Sequence, residues 1–314
     1  MTQSRKTILK IDESISGLRL DQALAKLIPD SSRAHLQKLI KDGNVKLNES
    51  VCEIPKTKIE QNDSVEITFP EEEELGLIAE KIDLPVLFED KDLIVINKPP
   101  GIVVHPAAGN WTGTIVNALA GRDSNFTEEL QSDDLRPGIV HRLDKDTSGC
   151  LVVAKNPESQ FKLSKAFAER NVKKTYAALV FGHPKRNSER IETLIGRHKT
   201  NRKKMAVVER NGKEAISLYK TIEKGFIDKT PVSLLEVEIF TGRTHQIRVH
   251  LAYKKLPVIG DTVYGGKQSI QAERQMLHAW KLSFPHPTNG KEMNFESPFP
   301  EDLKTLLESL ENHA

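Results

Sequence analysis

Gly138-Ile-Val-His-Arg-Leu-Asp-Lys-Asp-Thr-Ser-Gly149 is the stretch on which the reading turns: Arg142 stands two residues before Asp144, and Thr-Ser-Gly, suited to a tight turn, follows. An ordinary carboxylate is ionised at neutral pH, and a nearby guanidinium favours that charge even where burial opposes it. Such an oxygen can act as a nucleophile without a separate base to activate it. The everyday alternative is structural, with Asp144 or Asp146 closing a turn and Arg142 in an ion pair. An isolated Arg-x-Asp favours that alternative, so the decision rests with the rest of the chain.

With 314 residues there is room for two domains and one sizeable core. The 46 basic and 44 acidic side chains leave a net charge of +2, too balanced to argue for nucleic acid except through local clusters. Cys52 and Cys150 are far apart and form no Cys-x-x-Cys, so neither a disulfide framework nor a cysteine zinc site is indicated, and a cytoplasmic location is expected. His141, His245 and His250 have no carboxylate or cysteine partner at a metal-binding spacing; structural roles and no metal are expected. The polar start and the lack of any apolar run of about 18 residues predict a soluble protein without a membrane partner.

From Gly17 to about Pro70 the pattern is self-contained. Leu20, Ala23, Leu24, Leu27 and Ile28 recur at helical spacing up to Pro29, and Ser31 or Ser32 is placed to cap a second helix carrying Leu36, Leu39 and Ile40 and ended by Gly43. Arg33, Gln37 and Lys41, with Lys38 beside them, make one face of that helix basic. Short strands are predicted at Val45 and Leu47 and at Val65 to Phe69. Arg33-x-x-x-Gln-x-x-Ile-x-x-Gly-x-Val-x-x-Asn48 resembles the S4 RNA-binding module, which implies that Arg33, Lys38 and Lys41 meet RNA phosphates. Glu49 stands where that module usually has glycine, so a difference is expected at this hairpin. The run Glu71 to Glu74 repels itself and reads as linker. The expected organisation is an S4-type domain over 1–72, an acidic linker over 73–85 and a larger domain over 86–314.

In the larger domain, strands are predicted at Leu93–Ile96, Leu151–Ala154, Thr175–Val180 and Ser233–Phe240. Helices are predicted at Thr114–Ala120, stopped by Gly121, at Pro157–Arg170, capped by Asn156, and from Pro300 onward, burying Leu303, Leu306, Leu307 and Leu310. Without regular βαβ alternation the fold class is α+β, with a mixed, largely antiparallel sheet flanked by helices.

The opening stretch resembles the catalytic motif of the RNA pseudouridine synthases of the ribosomal large subunit type. Four further segments extend the likeness: Asn97 to His105, Lys174 to Leu179, Thr241-Gly-Arg-Thr-His-Gln-Ile-Arg-Val-His250, and Pro257 to Gly265, the last with no chemical role assigned. The resemblance implies that Asp144 is the nucleophile, Tyr176 stacks on the uracil, Arg248 pairs with Asp144 and Arg142 fills the space left by an everted uridine. Arg243 ranks behind Arg248 as the pairing arginine. The basic stretch Arg197 to Met205, with Arg197, Lys199, Arg202, Lys203 and Lys204, is similar to a family loop that closes over RNA phosphates; a solvated hairpin tip is its plain alternative.

Turning a uracil from an N–C to a C–C glycosidic link needs no redox partner, so no cofactor is expected. Attack at the anomeric carbon, addition to the ring and removal of a sugar proton would all use the same ionised oxygen. The implied partner is ribosomal RNA or an assembling large subunit, acted on by a monomer, with 23S ribosomal RNA as substrate. The alternatives are a sibling synthase acting on other ribosomal or transfer RNA uridines, an inactive RNA-binding assembly factor, and a hydrolase using Asp144 with Asp146.

Overall fold

The computed structural model describes residues 5–29, 31, 33–69, 77–107, 110–123, 126, 130, 136–201, 204–265 and 269–311. Ser32, Glu71 to Glu74, Arg202 and Lys203, all named above, lie outside them. The chain divides into two compact units, Met1–Gly76 and Leu77–Ala314.

In the first unit, β1 (Arg5–Lys10), β2 (Val45–Leu47), β3 (Ser50–Val51) and β4 (Ser64–Phe69) form an antiparallel sheet in the order β1-β4-β2-β3. Helices α1 (Leu20–Leu27) and α2 (Arg33–Lys41) bury Leu20, Leu24, Leu36 and Ile40 completely, with Val65 and Ile67 of β4 in the same core. The β2–β3 hairpin turns on Asn48 and Glu49, at φ 48° and 68°. Two consecutive left-handed residues are what a two-residue hairpin loop demands, so Glu49 adopts the conformation that its side chain disfavours. Arg33 also behaves unlike a plain surface cation. Its guanidinium donates to Asp21 of α1 at 2.8 Å, and Arg19 and Gln37 bond the same carboxylate. Burial opposes the charge on Asp21, yet these donors hold it down at about 2. Lys38 and Lys41 are exposed.

In the second unit, the strands are β5 (Val86–Glu89), β6 (Leu93–Lys98), β7 (Ser148–Ala154), β8 (Lys173–Phe181), β9 (Ser188–Arg197), β10 (Met205–Val208), β11 (Lys213–Ile227), β12 (Thr230–Ile239), β13 (Leu277–Pro285) and β14 (Glu292–Glu296). Among the described residues they form one sheet in the order β10-β9-β11-β12-β8-β13-β7-β6-β5, with β14 on β13. Every pairing is antiparallel except β13 with β7, at His278–Ser148 and Ala279–Gly149. The helices bounded within the described residues are α3 (Ile115–Arg122), α4 (Pro157–Ala168), α5 (Gln246–Tyr253) and α6 (Glu301–Glu308).

All seven residues of β7 are buried, because alternate side chains enter cores on opposite faces of the sheet. Leu151 and Val153 join the core that α3, α5 and α6 help to close, whereas Cys150, Val152 and Ala154 join the one beneath α4. The expected tight turn at Thr-Ser-Gly149 falls earlier, at Lys145 and Asp146, and Ser148 already begins the strand. Gly149 is glycine for another reason: at φ 113° a Cβ would stand 2.2 Å from the Ala279 carbonyl of β13.

Three boundaries differ from the sequence expectation. Gly121 does not stop its helix; α3 runs through it, and a Cβ there would meet the Glu80 carbonyl at 2.1 Å. The packed Glu80 belongs to residues 77–85, read above as linker but part of the second unit, where Leu84 is buried and Asn117 holds the Ile78 carbonyl. Helix α4 ends at Ala168, since Arg170 turns left-handed at φ 63°. Pro300 precedes α6, whose Leu303 is buried while Leu306 and Leu307, and Leu310 just beyond the helix, are half-buried.

Three histidines of this unit titrate far from their ordinary range, and burial drives His141, in the loop before β7, lowest. His250 of α5 lies between Ser217 and Thr193, and His278 of β13 between Ser148 and the Ser297 carbonyl; burial drives both down to about 4. The unfolded chain, titrating near 6.5, therefore takes up more protons between about pH 6.5 and 4, so stability is lost as pH falls through that window. Each should cost roughly 2 kcal/mol at pH 5 relative to pH 7.5. Urea unfolding at the two pH values should show this loss, and His278→Gln should remove about a third of it.

Candidate active site

Arg142, Asp144, Tyr176 and Arg248 line one open cleft of about 490 Å³ in the second unit, together with Ile239, the turn from Gly242 to Ile247, and Leu277. Asp144 sits in the loop that enters β7, with a quarter of its side chain exposed. Arg248, on the first turn of α5, is nearly buried and donates through Nη1 to Asp144 Oδ2 at 3.1 Å. Arg243 is turned elsewhere, its Nε on the Glu214 carbonyl at 2.8 Å. Tyr176, on β8, is 8% exposed; burial, then the charges of Asp144 and Cys150, raise its phenol above the ordinary value, so it remains a neutral ring. Arg142 is exposed and rests on Thr244 Oγ1 at 2.6 Å at the cleft rim.

The loop bearing Asp144 is gripped by two cations that sequence reading gave no chemical part. Lys98 is wholly buried and its ammonium donates to the carbonyls of Pro99, Ile102 and Lys145 at 2.8 to 2.9 Å. Burial pulls its titration down to about 7, against the opposing charges of Asp146 and Asp144. Arg274 donates to the Asp146 carbonyl at 3.0 Å while its other edge forks onto Asp302. Neither residue belongs to a spacing that signals this; only the Asn97 to His105 segment, in which Lys98 lies, drew attention.

The turn before α5 is fastened by Gln246, 3% exposed. Its Oε1 accepts from Thr241 Oγ1 and the Arg243 N–H, and its Nε2 donates to the Ile216 carbonyl and Ser217 Oγ. With all four of its polar capacities used, the side chain fixes where α5 starts, and hence where Arg248 points.

The segment Pro257 to Gly265 now has a part. Asp261, fully buried, accepts two parallel bonds from Arg248, Nε at 2.7 Å and Nη2 at 2.9 Å, and Oδ1 also takes the N–H groups of Val263 and Tyr264. The Tyr264 ring centre lies 5.3 Å from the guanidinium carbon. Burial opposes charge on Arg248, but Asp261 and then Asp144 outweigh it and raise its pKa; Asp261 is correspondingly lowered. A Gly-Asp-x-x-Tyr run of this kind hints at a turn, but nothing local names the arginine 13 positions away.

His141 accepts the Val152 N–H, stacks on Phe167 and is driven by burial to about 3; His245 bonds the Tyr264 hydroxyl. Together with the bonds of His250 this leaves the three histidines in hydrogen-bonded places. Among the described residues Asp90, Asp92 and His286 come close enough to consider a metal, but His286 Nε2 already donates to Asp90 and its Nδ1 accepts from Thr288. In the basic stretch Arg197 ends β9, and Lys204 Nζ stands 6.0 Å from the Tyr264 ring centre. No helix among the described residues is long and apolar enough to cross a membrane.

Residues 92–253 match the family of RNA pseudouridylate synthases, and residues 18–65 match the S4 domain. The chain belongs to the RNA pseudouridine synthases and is an enzyme of that class with an S4 domain. It is 43% identical over 313 residues to the ribosomal large subunit pseudouridine synthase D of Nitrosomonas europaea, covering 97% of this chain and 88% of that protein. Identity is 42% to the RNA pseudouridine synthase YlyB of Bacillus subtilis, over 94% of this chain and 95% of that one. Among solved structures, human RNA pseudouridylate synthase domain containing 1 is 30% identical, over 72% of this chain and 88% of that chain, with a TM-score of 0.58.

Asp261→Asn weakens one arm of a buried ion pair and should lower stability by about 3 kcal/mol. With Arg248 less firmly aimed, turnover should fall roughly 10- to 100-fold. Urea unfolding and single-turnover rates measure the two effects.

Proposed function

We propose that this enzyme isomerises uridine to pseudouridine in the large-subunit (23S) ribosomal RNA, with Asp144 as nucleophile. One observation carries the reading: a part-exposed carboxylate opens onto the cleft while a buried arginine, itself fixed by a second carboxylate, holds one of its oxygens. Relatives named as large subunit pseudouridine synthase D, aligned along nearly the whole chain, support the choice of substrate RNA and a synthase D-like role.

In the reaction the uracil N1–C1′ bond breaks, the base rotates, and a C5–C1′ bond forms. C5 gives up its hydrogen and N1 gains one, so atoms balance without a cofactor. The target uridine must first leave its stack, at a cost of a few kcal/mol. Arg142, at the rim, takes the vacated position; Tyr176 packs on the everted base, a contact worth about 1 to 3 kcal/mol; Arg248 aims Asp144. Lys38 and Lys41 on the S4 unit, and Arg197, Arg202, Lys203 and Lys204 of the basic stretch, meet phosphates, with Arg33 sharing its charge with Asp21. The enzyme acts as a monomer in the cytoplasm.

Asp144→Asn should abolish isomerisation and leave RNA affinity within about threefold, judged by pseudouridine mapping and by filter binding; undiminished turnover would remove the nucleophile assignment. Mapping across ribosomal and transfer RNA in cells with and without this protein identifies the substrate. Lys38→Ala with Lys41→Ala should weaken RNA binding at every sequence tested and reduce the salt slope by roughly one per lost phosphate contact; an unchanged slope would place these lysines off the RNA.

A further inference from the structure

Both contacts that reach Asp144 fall on the same oxygen. Arg248 Nη1 donates to Oδ2 at 3.1 Å, and His245 Nε2 stands 4.0 Å from that same Oδ2. Among the described residues Oδ1 has no recorded partner, although the carboxylate borders the cleft.

The tautomer of His245 follows from its other neighbour. Tyr264 Oη accepts the Met205 N–H at 2.9 Å and lies 2.9 Å from His245 Nδ1. A phenol has one hydrogen to give. If Nδ1 carried a proton, Oη would accept twice and its own hydrogen would be left, among the described residues, without a recorded acceptor. An O–H donated to Nδ1 satisfies both groups at once, and the tautomer we assign on that ground carries its proton on Nε2, the nitrogen that faces Asp144. Backbone geometry aims the ring: His245 precedes α5 at φ 57°, ψ 22°, the left-handed region in which histidine is among the commoner non-glycine residues.

We infer that His245 is a second positioning residue for the nucleophile, its Nε2–H closing onto Asp144 Oδ2 when RNA fills the cleft, so that Oδ2 is the anchored oxygen and Oδ1 the one that attacks. This rests on Asp144 being the nucleophile. Contacts that are long in an empty site commonly tighten in the substrate complex. Burial holds His245 below its ordinary titration range, with Arg248 and Arg142 acting in the same direction and Asp144 and Asp261 against it. It thus supplies a donor without a second full positive charge, which would quench the very oxygen the reaction needs.

The two amide residues separate the possibilities. Glutamine can place an N–H near the position of Nε2, whereas asparagine reaches only to that of Nδ1 but suits the left-handed backbone. With the full-length enzyme and a ribosomal RNA fragment carrying 5-tritiated uridine, tritium release should show His245→Asn lowering kcat about 10- to 100-fold with KM within about twofold. His245→Gln should recover to within about fivefold of the parent, and Tyr264→Phe, which frees the tautomer but keeps the ring on Arg248, should lower kcat several-fold. Equal activity of the asparagine and glutamine variants, at either the parental or the damaged level, would overturn the inference, as would a loss confined to KM. Asp144→Asn in the same assay is the separate control: if it turns over, the nucleophile reading fails, whereas an inactive Asp144→Asn beside a fully active His245→Asn sinks only the inference about His245.

Discussion

The site is organised around one guanidinium shared by two carboxylates. Arg248 gives its Nε and Nη2 edge to buried Asp261 and its Nη1 to part-exposed Asp144. Because Asp261 already balances the arginine, Asp144 is aimed without having its own charge cancelled. A buried ion pair is expensive to desolvate unless its remaining hydrogen-bonding capacity is filled. Here two backbone N–H groups complete Asp261, and the Tyr264 ring covers the guanidinium.

That arrangement needs rigid carriers, since a shift of about 1 Å in a reacting group can cost two orders of magnitude in rate. Each carrier is a loop tied down by long polar side chains: Lys98 and Arg274 hold carbonyls of the Asp144 loop, and Gln246 accepts the Arg243 N–H of the turn into α5 while donating to the Ile216 carbonyl of β11. These in turn lean on a sheet packed on both faces, where β7 sends alternate residues into two cores. Local order at the cleft thus derives from burial some distance away.

Much of this could be read from the residues. Period-two and helical patterns located β6, β7, β8, β12 and several helices because each encodes its own buried face, and Arg142, Asp144, Tyr176 and Arg248, which line one cleft, lie in contiguous motifs. What stayed hidden involved partners distant in sequence. Asp261 gives no local sign that it will meet Arg248, and Arg33 reads as a surface cation until Asp21 arrives from the preceding helix. Gly121 looked like a helix stop, yet it is a point of close backbone approach. The strands β1, β11 and β13 were missed; in the fifteen-residue β11 many positions face solvent and blur the alternation.

The sulfur chemistry of the chain is lopsided. Cys150, six residues after the carboxylate, is locked in β7 with its thiol pushed by burial up to about 12, and the only other cysteine, Cys52, is half-exposed on the first unit. A thiol so reluctant to ionise is a poor target for alkylating reagents and peroxides. Thiol modification is therefore confined to the first unit, and a maleimide dye applied to the native protein would mark that unit alone.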